Sequence, residues 1–484
     1  MNPYRLPVLL AAMAMLAAPQ AHAVGLLDAY RDALRSDPAL REAAAVRLAT
    51  LEARPQARAA LLPQIEGTGS YEYQDRSGSQ TFTQLLEGGE IATLTTRFQQ
   101  DVEPLRQWQL RLTQTLFRWD QWIALRQADK QLARAEAEFR AAEQDLMARV
   151  SRRYFDILNA RATLMAAEAA KEAIGRQLEQ AEKRFEVGLS AITDVQEAQA
   201  SFDSATATVI QGKRTLAVAR EFLREITGEY YPDLADAGPD TPLIPPDPPV
   251  VDDWVQTALA QNLSLEAARI AAEISRDGIE ASRSGHYPAV ELFAARANSD
   301  TTATRQDRAE ALPGQPEPER QPERPADSNF WQDSVGVQVR VPIYSGGAVA
   351  SRVKEATYLH QASQNQLERI ARETERQTRD AFLSVNSEIS RVQALAQAVE
   401  SSQTALRATE AGFEVGTRTT VDVLQSRRQL FEAQRDYANS RYVYVLNALL
   451  LKQAAGILRE VDIEEVDGWL KPPDEIPRPT QGRR

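Results

Sequence analysis

The sequence has no cysteine in 484 residues. That excludes a disulfide framework and a lipid anchor on an N-terminal cysteine. Histidine is almost as scarce: His22, His286 and His360 lie far apart without companions, and read as polar surface residues rather than metal ligands. No Gly-rich phosphate loop, HExxH pair or nucleophile elbow is present, so neither catalysis nor a cofactor is expected. Beyond the first residues no apolar run approaches about 18 residues, the length a membrane-crossing helix needs. Barrel strands are not excluded by this, because they alternate apolar and polar residues. The formal net charge of −12 argues against a nucleic-acid partner.

What is present begins with Arg5, the apolar run Leu6 to Ala18, Pro19 and the small-residue site Ala21-His22-Ala23. This is the pattern of a secretory signal peptide over residues 1–23. The rest is written twice. FEVGLSAITDV (Phe185 to Val195) returns as FEVGTRTTVDV (Phe413 to Val423). DAYRDALRSDPALREA at Asp28 lines up with DWVQTALAQNLSLEAA at Asp253, and LRLTQTLF at Leu110 with VQVRVPIY at Val337. Landmarks that keep their order and spacing mark a tandem duplication. Its halves are residues 24–227 and 253–460, joined by a connector, 228–252, with seven prolines. Residues 461–484 form a C-terminal tail, expected to be disordered from Pro472 onward.

Each half predicts a helix of about 35 residues (28–62; 253–285), a strand pair around a long loop, a very long helix, a glycine turn and a closing helix. The strand pairs are 64–75 with 106–117 and 289–299 with 332–344. Polar, irregular loops are expected over about 75–104 and 313–325. The very long helices, about 118–185 and 347–413, contain no proline, and the only glycine well inside them is Gly175. At 1.5 Å per residue each would span about 100 Å. Phe382, Val385, Ile389, Val392, Ala396 and Val399 step 3-4-3-4-3, a coiled-coil seam that needs partner helices. In the strands, Val335, Val337, Val339, Val341 and Ile343 face one side, opposite Ser334, Gly336, Gln338 and Arg340. This fits a membrane barrel, or half-buried strands of a soluble sandwich. Four strands cannot close a barrel and an open edge is forbidden in lipid, so membrane strands would require several chains to pool theirs.

Gly188 and Gly416 fit the left-handed position just past a helix C-terminus. Ser190 or Thr193, and Thr417 or Thr419, can cap the next helices, with Asp194 and Asp422 complementing their dipoles.

RFEVGLSAITDVQEAQASFD, AGFEVGTRTTVDVL and ANSRYVYVLNALLLKQAAG closely resemble the TolC family of outer-membrane channel-tunnel proteins. The likeness covers about residues 24–460, and is to members without a lipid anchor. It implies an α+β membrane protein: a homotrimer whose chains each give four strands to one twelve-stranded barrel in outer-membrane lipid. A long periplasmic α-helical coiled-coil barrel would continue it. The glycine turns would lie at the periplasmic tip, near Gly188 and Gly416, where an adaptor from an inner-membrane transporter docks. Aperture bonds would join Thr193 and Asp194 to Arg418. The family tyrosine is Phe413 here, so its hydroxyl bond is lost. Asp422 would form the constriction ring, and the second acidic ring is replaced by Gln425. The implied function is an exit duct for efflux or type I secretion. The rival reading is a periplasmic coiled-coil adaptor without a pore, which would not need two alternating strand pairs.

Overall fold

A computed structural model describes residues 23–85, 91–238, 240–309, 319 and 321–472. Nearly all of the expected signal peptide, and the end of the tail from residue 473, lie outside the described residues. The chain divides into two compact units, each drawing on both halves of the sequence. A sheet unit comprises Leu51–Leu132 with Glu273–Ala362, and a helical unit takes the remainder.

The sheet unit is built on strands β1 (Gln64–Leu85), β2 (Ile91–Phe117), β4 (Ala289–Ala309) and β6 (Ser328–Arg340). They pair antiparallel in the order β1-β2-β4-β6, and the short β5 (Arg324–Pro325) also pairs with β4. The register sets Gly69 opposite Trp108, Trp108 opposite Asn298 and Asn298 opposite Trp331. Directly opposed residues share a face. One face therefore carries Ile65, Tyr71, Trp108, Leu110, Trp331, Val335, Val337 and Val339, and the other Glu66, Gln107, Gln109, Ser334 and Gln338. The apolar face is bare: Val335 is 79% exposed and Ile65 68%. Trp108 meets Trp331 edge-on at 5.3 Å. Strands β1 and β6 each pair on one side only among the described residues.

The expected loop over 75–104 is instead the far end of the β1–β2 hairpin. Its strands pair from Gln74 opposite Val102 to Leu85 opposite Ile91. Polarity suggested a loop, but backbone pairing needs no apolar face. Thr81 and Thr95 share a hydroxyl bond of 3.2 Å, and Arg305 covers the ring of Phe98 at 4.7 Å. Pro104, which cannot donate to a ladder, falls in the register shift between Val102 and Leu105. Of the second expected loop, residues 313–318 and 320 lie outside the described residues, and Arg324–Pro325 pair as β5.

The helical unit takes its frame from α4 (Trp119–Glu186) beyond Leu132 and α8 (Ala348–Glu414) beyond Ala362, the two very long helices, and from α5 (Ile192–Thr227) and α9 (Thr420–Ala454), which return from the glycine turns. No described helix is long and apolar enough to cross a membrane. Of the seam, Phe382, Val385 and Val392 are buried and Ile389 packs against them, while Ala396 is exposed within the single chain.

The leading helices are broken, where continuous ones were expected. The first is α1 (Leu26–Ser36), α2 (Pro38–Leu51) and α3 (Ala53–Ala59); the second is α6 (Val251–Gln261) and α7 (Leu263–Arg283). Asp37 and Asn262 occupy equivalent breaks with the same cap. Asp37 Oδ2 accepts the Leu40 amide at 2.9 Å, and Asn262 Oδ1 accepts the Leu265 amide at 3.0 Å. Pro38 then starts α2, where its missing amide proton costs nothing.

Tyrosine hydroxyls hold the connector and the chain ends to this frame. Tyr154, fully buried, donates to the carbonyl of Ala235 at 2.7 Å, with that of Val24 at 3.0 Å. Tyr442 donates to Asp236 on β3 (Asp236–Ala237), which pairs with β7 (Leu470–Lys471). Residues after 460 are thus not all loose tail: α10 (Glu460–Asp467) buries Ile463 and Val466.

Candidate functional site

The two glycine turns are built alike. Gly188 has φ 76° and Gly416 φ 77°, the left-handed conformation that favours glycine. After α4, the Leu189 amide donates to Arg184 O at 2.7 Å and the Gly188 amide to Phe185 O at 2.9 Å. After α8, the Thr417 amide donates to Gly412 O at 2.8 Å and the Gly416 amide to Phe413 O at 3.1 Å. This is the Schellman pattern, which satisfies the last carbonyls of each helix.

The turns differ in how they start the returning helix. Thr419 caps α9: its hydroxyl accepts the Asp422 amide at 3.2 Å, and Asp422 accepts the Thr419 amide at 2.8 Å. In the first turn Ala191 stands at that place and no side chain caps α5. Neither Ser190 nor Thr193 does so; Ser190 instead donates back to the Ala181 carbonyl at 3.5 Å. The expected cap therefore forms in one turn of two, because only one has a hydroxyl at the residue before the helix.

The Thr419 amide and hydroxyl hold the Asp422 carboxyl below its usual range, and the nearby Arg418 guanidinium acts in the same direction. Thr193, Arg418 and Gln425 are exposed, and Asp194 is half-buried in the first turn of α5. Among the described residues no hydrogen bond or ion pair joins Arg418 to Thr193 or Asp194. Phe413 lies 5.3 Å from the guanidinium of Arg184.

Away from the turns, Arg427 of α9 reaches Glu410 of α8 at 2.7 Å and the Ala173 carbonyl of α4 at 3.3 Å. It borders a groove between α4, α5 and α9 whose lining includes Ala167, Ala170 and Ala205. These anchors are polar contacts between helices distant in sequence, and sequence reading did not find them.

A sheet with a bare apolar face, joined in one chain to two hairpins of very long helices, defines a membrane-channel fold. The model of the family described as "Outer membrane efflux protein" matches residues 29–229 and 254–457. TolC from Vibrio cholerae is 35% identical over 93% of this chain and 94% of its own length. The alkaline protease secretion protein AprF from Pseudomonas aeruginosa is 28% identical over 95% and 90%. The solved outer membrane protein VceC from Vibrio cholerae shares the fold with a TM-score of 0.66, covering 89% of this chain and 96% of that one, at 20% identity. The chain belongs to the outer membrane efflux protein family. It is an outer-membrane protein that extends into the periplasm.

Proposed function

We propose that three copies of this chain form a passive exit duct through the outer membrane, serving a tripartite efflux or type I secretion system. The observation that carries the reading is the sheet: its apolar face is bare and its two edge strands have no partner within the chain among the described residues. A bare apolar face is costly in water and an open edge is forbidden in lipid, unless the face meets acyl chains and the edges are paired. Pairing β1 of one copy with β6 of the next removes every edge, and three copies give a closed twelve-stranded wall of a size common among such barrels.

The polar face then lines a water-filled lumen. The glycine turns close its periplasmic end, with Thr193 and Asp194 on one coil bonded to Arg418 on a neighbouring coil. Asp422 contributes a ring of three carboxylates that favours cations, and with Gln425 in place of a second ring the preference is modest. A periplasmic adaptor grips the grooves beside Gly188 and Gly416 and couples the duct to an inner-membrane transporter. Cargo is drugs or unfolded polypeptides, the latter supported by kinship with a protease secretion protein. The duct itself does no chemistry and holds no cofactor.

The test is electrical. Detergent-extracted outer-membrane protein, added to a planar lipid bilayer, should give discrete channels, and Arg418→Ser should raise their conductance. A monomer that needs no detergent and passes no current would refute the duct.

A further inference from the structure

Near the end of α4, two cations are engaged by acids one helical turn back: Arg176 by Glu172 and Lys183 by Glu179. Arg184 has Gln180 at that position, and no ion pair engages it among the described residues. Its guanidinium instead lies over the Phe413 ring, at 5.3 Å from the centroid. Each partner is itself part of a Schellman turn, since Arg184 O accepts the Leu189 amide and Phe413 O the Gly416 amide. The stack therefore joins the α4–α5 hairpin to the α8–α9 hairpin within one chain, at their turns.

We propose that the Arg184–Phe413 stack is a clasp that holds the two tip turns of each chain together in the closed duct. Phe413 has no hydroxyl, so the ring face is what it offers to the guanidinium. A guanidinium is attracted to a ring face without needing a hydroxyl, and the pair tolerates sliding while resisting separation. Opening that moves one hairpin away from the other must break it. The inference rests on the gating reading above and adds Arg184 to it.

One exposed cation–π contact should shift the open-to-closed ratio about two- to fivefold. Three acting together in a trimer give roughly ten- to a hundredfold, by the same arithmetic. The experiment records channels of the full-length protein in planar bilayers for Arg184→Leu, Phe413→Leu, the double variant, Phe413→Tyr and Arg418→Ser. Each single leucine variant should raise the open fraction, the double variant no further than either alone, and Phe413→Tyr should stay near wild type. Phe413→Leu reports the contact from the other side if Arg184→Leu does not assemble. If both leucine variants conduct like wild type while Arg418→Ser opens the channel, the clasp is wrong and the gating reading stands. Additive effects in the double variant also reject the clasp. If the wild type forms no channel, or Arg418→Ser and the leucine variants are all silent, the gating reading itself fails and the clasp with it.

Discussion

The sheet unit and the helical unit treat their apolar residues in opposite ways. In the helical unit Leu26, Leu146, Leu158, Leu223 and Tyr154 are wholly buried, and the Tyr154 hydroxyl among them has its own partner. In the sheet unit Val335, Val337 and Ile343 stand outside, with Ile343 95% exposed, while glutamines and serines occupy the other face. One rule explains both, since apolar surface leaves water wherever it can. The difference is the solvent each unit expects, and it separates a lipid-facing wall from an ordinary core more surely than composition does.

The largest effect that would sharpen this contrast comes from charging the wall. Val337→Lys should cost about 2–4 kcal/mol near mid-bilayer, while Gln338→Lys on the opposite face should change little. Denaturant unfolding in lipid vesicles, followed by tryptophan fluorescence, reads both. Equal effects on the two faces would remove the lipid-facing assignment.

In the helical unit, Tyr154→Phe removes the donor shared by the Val24 and Ala235 carbonyls, and should cost about 1–3 kcal/mol. A lowered thermal midpoint in detergent would show it. Asp37→Asn keeps the helix cap, as Asn262 does in the second half, but loses the ion pair with Arg149, whose Nη2 lies 2.9 Å from Oδ2. The expected loss is about 1–2 kcal/mol at neutral pH. Burial works to raise the Asp37 carboxyl, but the Arg149 guanidinium and the Leu40 amide outweigh it and hold the group below its ordinary value of 3.8. A lowered folded value means the stabilisation is complete above that ordinary value and is lost as pH falls through the folded one. Wild type should therefore lose stability at acid pH more steeply than Asp37→Asn, as the pH dependence of the melting temperature would record.

The smallest effect lies at the tips. Thr419→Ala should cost about 0.5–1 kcal/mol, and Ala191→Ser should add a few tenths by giving the first turn the cap it lacks. Helicity of the isolated α8–α9 hairpin and of its α4–α5 counterpart, measured by circular dichroism, would rank the four sequences.

Much of this fold can be read from the sequence because its signals are local. Strand alternation around Val335 to Ile343, the proline-free helices and the two glycines at 188 and 416 each declare themselves within a few residues. The break at Asp37 is equally local, since an aspartate before Pro38 is a cap with a first-turn proline behind it; an expectation of one continuous helix overlooks that pair. Polar composition conceals the distal hairpin, since Gln74 to Leu85 pairs through its backbone. Contacts such as Tyr154 to Ala235, Arg427 to Ala173 and Arg184 to Phe413 connect segments that only the folded chain brings together. No spacing rule could announce them.

The glycine that ends each half also touches the break that begins it. A methyl group on Gly456 would collide with the Gln261 carbonyl oxygen, and one on Gly228 would meet Ser36 Cβ at 3.3 Å. The Asn262 amide and the Ser36 hydroxyl bond across the same two junctions, to Ala454 and Thr227. Every half thus comes back to its own starting point. A module whose exit adjoins its entrance can be copied and strung beside itself by almost any tether, so the ancestral doubling demanded nothing special of the proline-rich stretch between the copies. The same property suits the protein to being severed there and reassembled from two separately made pieces.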